Sequence, residues 1–391
     1  MPDRVSELTR LAATIAPEMI TFRRDLHQNP EVGWKEHRTT RKVVESLLDW
    51  GIDPVIRPEG TGLIADVGPG APTVGFRADL DALPIAEESD PPYRSIVPGV
   101  MHACGHDVHT AIGLGTAWVL HQLGTLPGAV RFIFQPAEEQ LPGGAATLRE
   151  AGVHRDLRAI VAFHVDPSLE PGKVGIRTGG ITGASDRFAV HLSGPGGHTS
   201  RPHQTVNLLY VAGRVITDLP QLIRHAIDPR ETVLVVFGTV SGGSAPNVIP
   251  THVEMEGTVR LFDLDLWREM PKRIETAVTD MVTPLGATAR VEYTPGSPPV
   301  VNDGEVVGQV ETAAVAAIGA GNVTHTHRSL GAEDFAWFLE DIPGAMIRLG
   351  TALPDRQLDL HSASFDVDES AIETGILVAS ATLLRLLETA G

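Results

Sequence analysis

Cysteine is nearly absent from this chain: one residue in 391, Cys104. A single thiol excludes an intramolecular disulfide framework and suits a reducing compartment, so the expected location is the cytoplasm. Long hydrophobic runs are also missing. No apolar stretch reaches membrane-spanning length, and the amino-terminal "MPDRVSELTRLAATIAPEM" carries acids and lacks the apolar core of an export signal. Neither a membrane protein nor a signal peptide is therefore expected. Basic residues are in deficit, with 31 Lys and Arg against 49 Asp and Glu and a formal charge of −18. That balance argues against a nucleic-acid surface, although one arginine can still serve an anionic substrate inside a cleft.

What is present describes a folded protein. Hydrophobic residues make up 42% and charged residues 20%, which fits a globular chain long enough for two domains. Residues 5–28 read as an amphipathic helix that Pro17 kinks or splits. The short apolar runs "TVGFRAD" (73–79), "AVRFIFQ" (129–135), "AIVAFH" (159–164) and "AMIRLG" (345–350) read as buried strands. A helix over 108–123 lies between the first two, with Asp107 as its expected N-cap and Gly124 as its stop. Alternating strands and helices predict an α/β domain with a mostly parallel sheet.

The middle of the chain has another rhythm. Strands over 186–194, 232–242, 251–261 and 288–293 and helices over 205–219 and 263–282 follow in the order β-α-β-β-α-β. That order is the split-βαβ, ferredoxin-like pattern of one antiparallel sheet with two helices on a face. It forms a complete unit, expected as an insertion over 184–295 between 1–183 and 296–391. Helices near 304–319, 332–340 and 368–388 complete the α/β part.

Functional residues of open α/β sheets gather beyond the carboxyl ends of strands. Asp79 ends one predicted strand, Glu138 and Glu139 follow another, and His164 ends a third. "MHACGHDVH" (101–109) opens the intervening helix, and His361 follows the last strand after a loop. Cys104, His106, Glu139, His164 and His361 together offer the S, N and O donors of a divalent-metal shell. Cys104 and His106 are two apart, so in extended chain they point to one side, with Gly105 permitting a tight backbone. His102, Asp107 and His109 flank them as candidate supporting partners, whereas His27, His37, His121 and His225 read as ordinary core or surface residues. Each signal alone has a plain structural reading, such as a small buried thiol. Their coincidence at strand ends favours metal. Consecutive glutamates diverge, so one carboxylate can ligate metal while its neighbour takes a proton from water: metal-assisted hydrolysis.

Five motifs, "MHACGHDVHTA", "FIFQPAEE", "GPGGHTSRPH", "APNVIP" and "GAEDFAWF", occur in this order. Together they resemble the amidohydrolase branch of the aminoacylase and carboxypeptidase G type metallopeptidases, which includes hippurate and indole-acetyl-amino-acid hydrolases. The likeness runs from about residue 20 to the carboxyl end. It implies two divalent ions per subunit in the catalytic domain, and a lid domain that also makes a homodimer. Thiolate and imidazole donors favour Zn, Ni or Co, and carboxylates leave Mn open. By motif, Cys104 resembles the thiolate shared between the ions, and His106, Glu139, His164 and His361 the other ligands. Glu138 resembles the general base, and His198 a lid histidine that holds the oxyanion across the dimer. Asn247 and Arg260 resemble lid residues near the substrate carboxylate, and Asp79 a buried acid that orients its neighbours. Val108 stands where a glycine is usual, "EEQLPGGA" interrupts a usual glycine run, and Asn207 stands where aspartate is common. None of these departures removes a ligand or the base.

The expected activity is hydrolysis of the amide bond of N-acyl amino acids or related amides. A dipeptidase or a biosynthetic N-acetyl or N-succinyl amino acid deacylase of the same fold is the alternative, and a catalytically lapsed metal-holding relative is the non-enzymatic one. A cysteine nucleophile paired with histidine leaves the double glutamate without a use.

Overall fold

The computed structural model describes residues 2–389. The chain divides into two compact units: one holds the residues up to Gly179, Asn302–His327 and those from Trp337 onward, and the other holds Gly180–Val301 and Arg328–Ala336.

The first unit is built on an eight-stranded mixed sheet. Its centre is parallel, in the order Ala129–Gln135, Pro72–Asp79, Ala159–Asp166, Gly344–Gly350. These strands are buried almost throughout, which is why they read as continuous apolar runs and not as alternation. Phe76 lies 5.9 Å from Phe132 and 6.0 Å from Phe163, ring centre to ring centre, a row across three strands. Such ring pairs add about 0.5–1.5 kcal/mol each beyond area burial. The edges are antiparallel or short. Pro54–Ile56 and Leu63–Val67 flank one side, and Val174–Ile176 and Val323–His325 the other.

Helices Pro2–Gln28, His106–Leu123, Gly304–Ile318 and Ala371–Glu388 pack on this sheet and on each other. A Cβ on Gly375 would stand 2.5 Å from Ile112 Cδ1, and one on Gly115 2.5 Å from Ile376 Cδ1. These glycines therefore set how closely two of the helices approach.

Several local expectations need correction. Pro17 does not split the first helix, which is continuous. Asp107 is not an N-cap: the helix starts at His106 behind Gly105, and Asp107 lies within its first turn. The helix expected over 332–340 shrinks to Ala336–Leu339.

The second unit is the inserted split-βαβ module. Its sheet runs Val233–Gly242, His252–Leu261, Asp186–Ser193, Thr288–Thr294, antiparallel throughout. Phe188, Val190 and Leu192 point inward and join Val253, Met255 and Val259 under helices Leu208–His225 and Leu264–Val282. Asn207 and Asp263 cap those helices by accepting the backbone N–H of Tyr210 and Leu266, each cap contributing about 1 kcal/mol. Asn207 thus has a structural use of its own. The sequence reading of the fold, a mostly parallel catalytic sheet with an inserted antiparallel α+β module, matches the architecture.

Candidate metal centre

The parallel register sets the site. Asp79 pairs with Gln135, and Arg348 with His164, so the carboxyl ends of the central strands lie along one edge. The chain leaves Gln135 and turns sharply through Ala137, whose φ is 52°. His361 also has a positive φ of 61°. Such backbone in a residue with a side chain costs on the order of 1–3 kcal/mol and persists where its surroundings over-determine it. They do here: the Ala137 N–H donates to Glu36 Oε1 at 2.7 Å, and the His361 N–H to the Ala103 carbonyl at 2.8 Å. Gly105 (φ 79°) packs its α-carbon against Val165, where a Cβ would stand 2.6 Å from Val165 Cγ2. Only glycine joins Cys104 to His106 in that space.

These devices bring all five sequence-predicted metal donors together. Cys104, His106 and His164 form one group whose donor atoms lie within 4.8 Å of one another, Cys104, Glu139 and His361 a second, and His106, Glu138 and Glu139 a third. Cys104 Sγ is 3.6 Å from His164 Nε2, and His361 Nε2 is 3.1 Å from Glu139 Oε1. His106 Nε2 is 4.0 Å from a carboxylate oxygen of both Glu138 and Glu139. These three groups share Cys104, His106 and Glu139, and His106 also joins Asp79 and His109 in a further group, so the clusters Asp79/His106/His109 and His106/Glu138/Glu139 are adjacent. Asp79, Asp107 and Glu138 lie in the same unit, whereas His198, Asn247 and Arg260 are carried by the inserted module.

The donors fit divalent cations. His106 Nε2 is buried without a hydrogen-bond partner, its carboxylate neighbours standing 3.8 to 4.0 Å away, an arrangement that costs free energy unless something else satisfies it. Burial pushes the Cys104 thiol up to about 12, and a cation beside it reverses that penalty. His164 donates from Nδ1 to the Val165 carbonyl at 2.8 Å, leaving Nε2 as a lone pair aimed at Cys104. Burial, with Arg348 nearby, holds its imidazole well below the usual histidine range. Thiolate, imidazole and carboxylate together suit Zn, Ni, Co or Mn.

A second layer fixes these donors. His109 hydrogen-bonds Asp79 Oδ1 through Nδ1 at 2.7 Å and accepts the Val165 N–H on Nε2 at 2.9 Å. Burial raises Asp79, but His106, His109 and Arg77 outweigh it and hold the carboxyl well below the usual range. Asp107 Oδ2 forms an ion pair with Arg23, 2.7 Å from its Nε, and contacts His27 Nδ1 at 2.8 Å. Arg23 is fully buried and also meets Asp366 and Glu369. Asp81, absent from the sequence reading, accepts the backbone N–H of Glu138 on Oδ1 and of Glu139 on Oδ2, each at 3.0 Å. A signal for it existed: Asp79 and Asp81 are two apart at a strand end. Arg23, His27 and Glu36 had none, because their partners are distant in sequence.

In the inserted module, Gly197–His198 pairs with Val248–Ile249. His198 is exposed, and its Nδ1 accepts the Ser200 N–H at 3.1 Å. The proton of the neutral ring therefore belongs on Nε2. Asn247 is exposed, and its carbonyl accepts the Thr199 N–H. Arg260 is half-buried and donates to the Leu330 carbonyl.

The YXEP protein of Bacillus subtilis, described as a dinuclear metal binding peptidase from the M20 family, superposes with a TM-score of 0.85 at 34% identity, over 96% of this chain and 99% of that one. The N-acetylcysteine deacetylase of Bacillus subtilis (strain 168) is 37% identical over 375 residues, 95% of this chain and 97% of that protein. The N-acyl-L-amino acid amidohydrolase of Geobacillus stearothermophilus is 39% identical over 300 residues, covering 76% and 81%. A longer protein of Rhodococcus jostii (strain RHA1) is 40% identical over 377 residues, and this chain spans 47% of its length. Peptidase family M20/M25/M40 matches residues 75–385. The buried donor cluster is that of a metal-dependent hydrolase active site, and the chain belongs to peptidase family M20/M25/M40.

Proposed function

We propose that the protein is a dinuclear metal-dependent amidohydrolase that cleaves the amide bond of N-acyl amino acids, with Glu138 as general base. One observation carries the reading: Asp81 anchors the backbone of Glu138 and Glu139, and both carboxylates reach the donor cluster, each 4.0 Å from His106 Nε2. Glu139 Oε1 lies 3.1 Å from His361 Nε2 among the donors, and Glu138 Oε2 lies 4.0 Å from His106 Nε2 beside them.

Two divalent ions held by Cys104, His106, Glu139, His164 and His361 would supply Lewis acidity, polarising a carbonyl and acidifying water near pH 7. Glu138 takes the proton from the attacking water and returns it to the leaving amine. His198, with its Nε2–H free to donate, stabilises the oxyanion. Asn247 and Arg260 hold the substrate carboxylate, the feature shared by N-acyl amino acids and dipeptides. The names of the relatives, a deacetylase, an N-acyl amino acid amidohydrolase and a peptidase, all concern amide bonds and leave the acyl group open. A homodimer formed through the inserted module, and a cytoplasmic location suited to a thiolate ligand, belong to the same reading.

Glu138→Gln tests it. The variant should retain the wild-type metal content by elemental analysis. Turnover over an N-acyl amino acid panel should fall by about 10²–10⁴-fold, the usual worth of a general base. Full activity on a confirmed substrate would remove Glu138 from that role.

A further inference from the structure

We propose a separate metal site on the inserted module, formed by His191, His252 and Glu254, for a borderline-soft divalent cation such as Zn2+. The three residues lie on the sheet face opposite the two helices. His191 alternates with the inward-facing Val190 and Leu192, and Glu254 and His252 alternate with the inward-facing Val253 and Met255. Glu254 is the cross-strand partner of His191, and His252 is two residues along the same strand, so all three project together.

Their donor atoms lie within 4.8 Å of one another. His191 Nδ1 is 3.7 Å from Glu254 Oε1, and the two imidazoles are stacked 5.9 Å apart, tilted by 21°. A separation of 3.7 Å is too long for a hydrogen bond. It is close to the roughly 3.3 Å edge that two ligands at about 2.0 Å make around a tetrahedral ion.

The second nitrogen of His191 supplies an independent observation. Nε2 is buried and has no hydrogen-bond partner, and it faces Glu292 Oε2 at 3.6 Å. A metal-bound histidine commonly directs its other N–H to a carboxylate, which fixes the ring and its tautomer. Glu292 is itself held by Arg290. Two imidazoles exclude Mg2+ and Ca2+ as the natural occupants and favour Zn2+, Ni2+ or Cu2+. His252 is exposed, so an ion reaches the site directly, with water in the fourth position.

The test is Zn2+ stoichiometry on tag-free full-length protein, stripped with chelator and titrated against a chromophoric competitor. His252→Gln, at an exposed position, and His191→Asn should each bind one equivalent fewer per chain than wild type. Hydrolysis by His252→Gln at saturating Zn2+ should stay within about twofold of wild type. Equal stoichiometry in wild type and both variants overturns the site. So does loss of an equivalent together with loss of turnover, because that assigns the missing ion to the catalytic donors.

Discussion

His109 and Asp79 are joined at 2.7 Å beneath the donor cluster, and the bond has a fixed direction. His109 Nε2 accepts the Val165 N–H, so Nδ1 carries the proton and donates to the carboxylate. Asp79 also takes Arg77 Nη1 at 2.6 Å, and its Oδ2 lies 3.8 Å from His106 Nε2. It is thus a fixed negative charge beside His106, whose Nδ1 lies 3.3 Å from Asp81 Oδ1.

Asp79→Asn keeps the shape and removes the charge. Outer partners of metal ligands are worth about 10–100-fold in metal affinity, and a loss in that range is expected. Competition with a chelator of known affinity measures it. An unchanged affinity would reduce Asp79 to a packing residue.

Asp81 sets the backbone from which both glutamates project. In Asp81→Asn one of the two acceptor oxygens becomes an NH2 group facing a backbone N–H. The Glu138 and Glu139 peptides then shift. A displacement of about 1 Å at a catalytic group costs on the order of 10²-fold in rate. The expected result is a fall in kcat of that size with KM little changed, read from steady-state kinetics at saturating metal. A variant that changes KM alone would place Asp81 in substrate binding instead.

The sequence carried the fold well where its signals are local. Buried parallel strands show as short apolar runs, and the inserted module shows as alternation broken by two amphipathic helices. Phe188, Val190 and Leu192 face its core just as that alternation implies. The clustering of Cys104, His106, Glu139, His164 and His361 was legible because such residues gather at the carboxyl edge of the sheet. What escaped was long-range support. Glu36 bonds the Ala137 amide 101 residues away, and Arg23 meets Asp366 across 343 residues. Neither pairing leaves a periodic trace. The edge strands Pro54–Ile56 and Leu63–Val67 also escaped, being short and half-exposed.

Asp186 makes the inserted module sensitive to pH. Burial raises its carboxyl above the usual aspartate range, partly offset by hydrogen bonds from Tyr293, the Gly296 amide and Trp267. The folded chain therefore holds this proton over a window in which the unfolded chain has lost it. Stability from this group falls as pH rises through that window, just above the normal aspartate pKa. Asp186→Asn cannot titrate. The difference in Tm between wild type and variant, wild type minus Asn, should be largest near pH 4 and smaller at pH 7. Thermal unfolding followed by circular dichroism reads the difference. A gap that widens with pH would reverse the assigned direction.

Gly105 joins two donors through a backbone closed to other residues for two separable reasons. Its φ of 79° costs an L-residue about 1–2 kcal/mol. A Cβ there also meets Val165 Cγ2 at 2.6 Å, and overpacking of this kind costs about 1–3 kcal/mol. Gly105→Ala should therefore lose roughly 2–5 kcal/mol in denaturant unfolding, the sum of the two costs. Repeating the substitution in a Val165→Ala background removes the clash and leaves the φ penalty. The Gly105→Ala cost should then fall to the smaller value, while metal affinity, which depends on the Cys104–His106 spacing, stays depressed. Full recovery of both in the double variant would mean that space alone, and not backbone conformation, reserves this position for glycine.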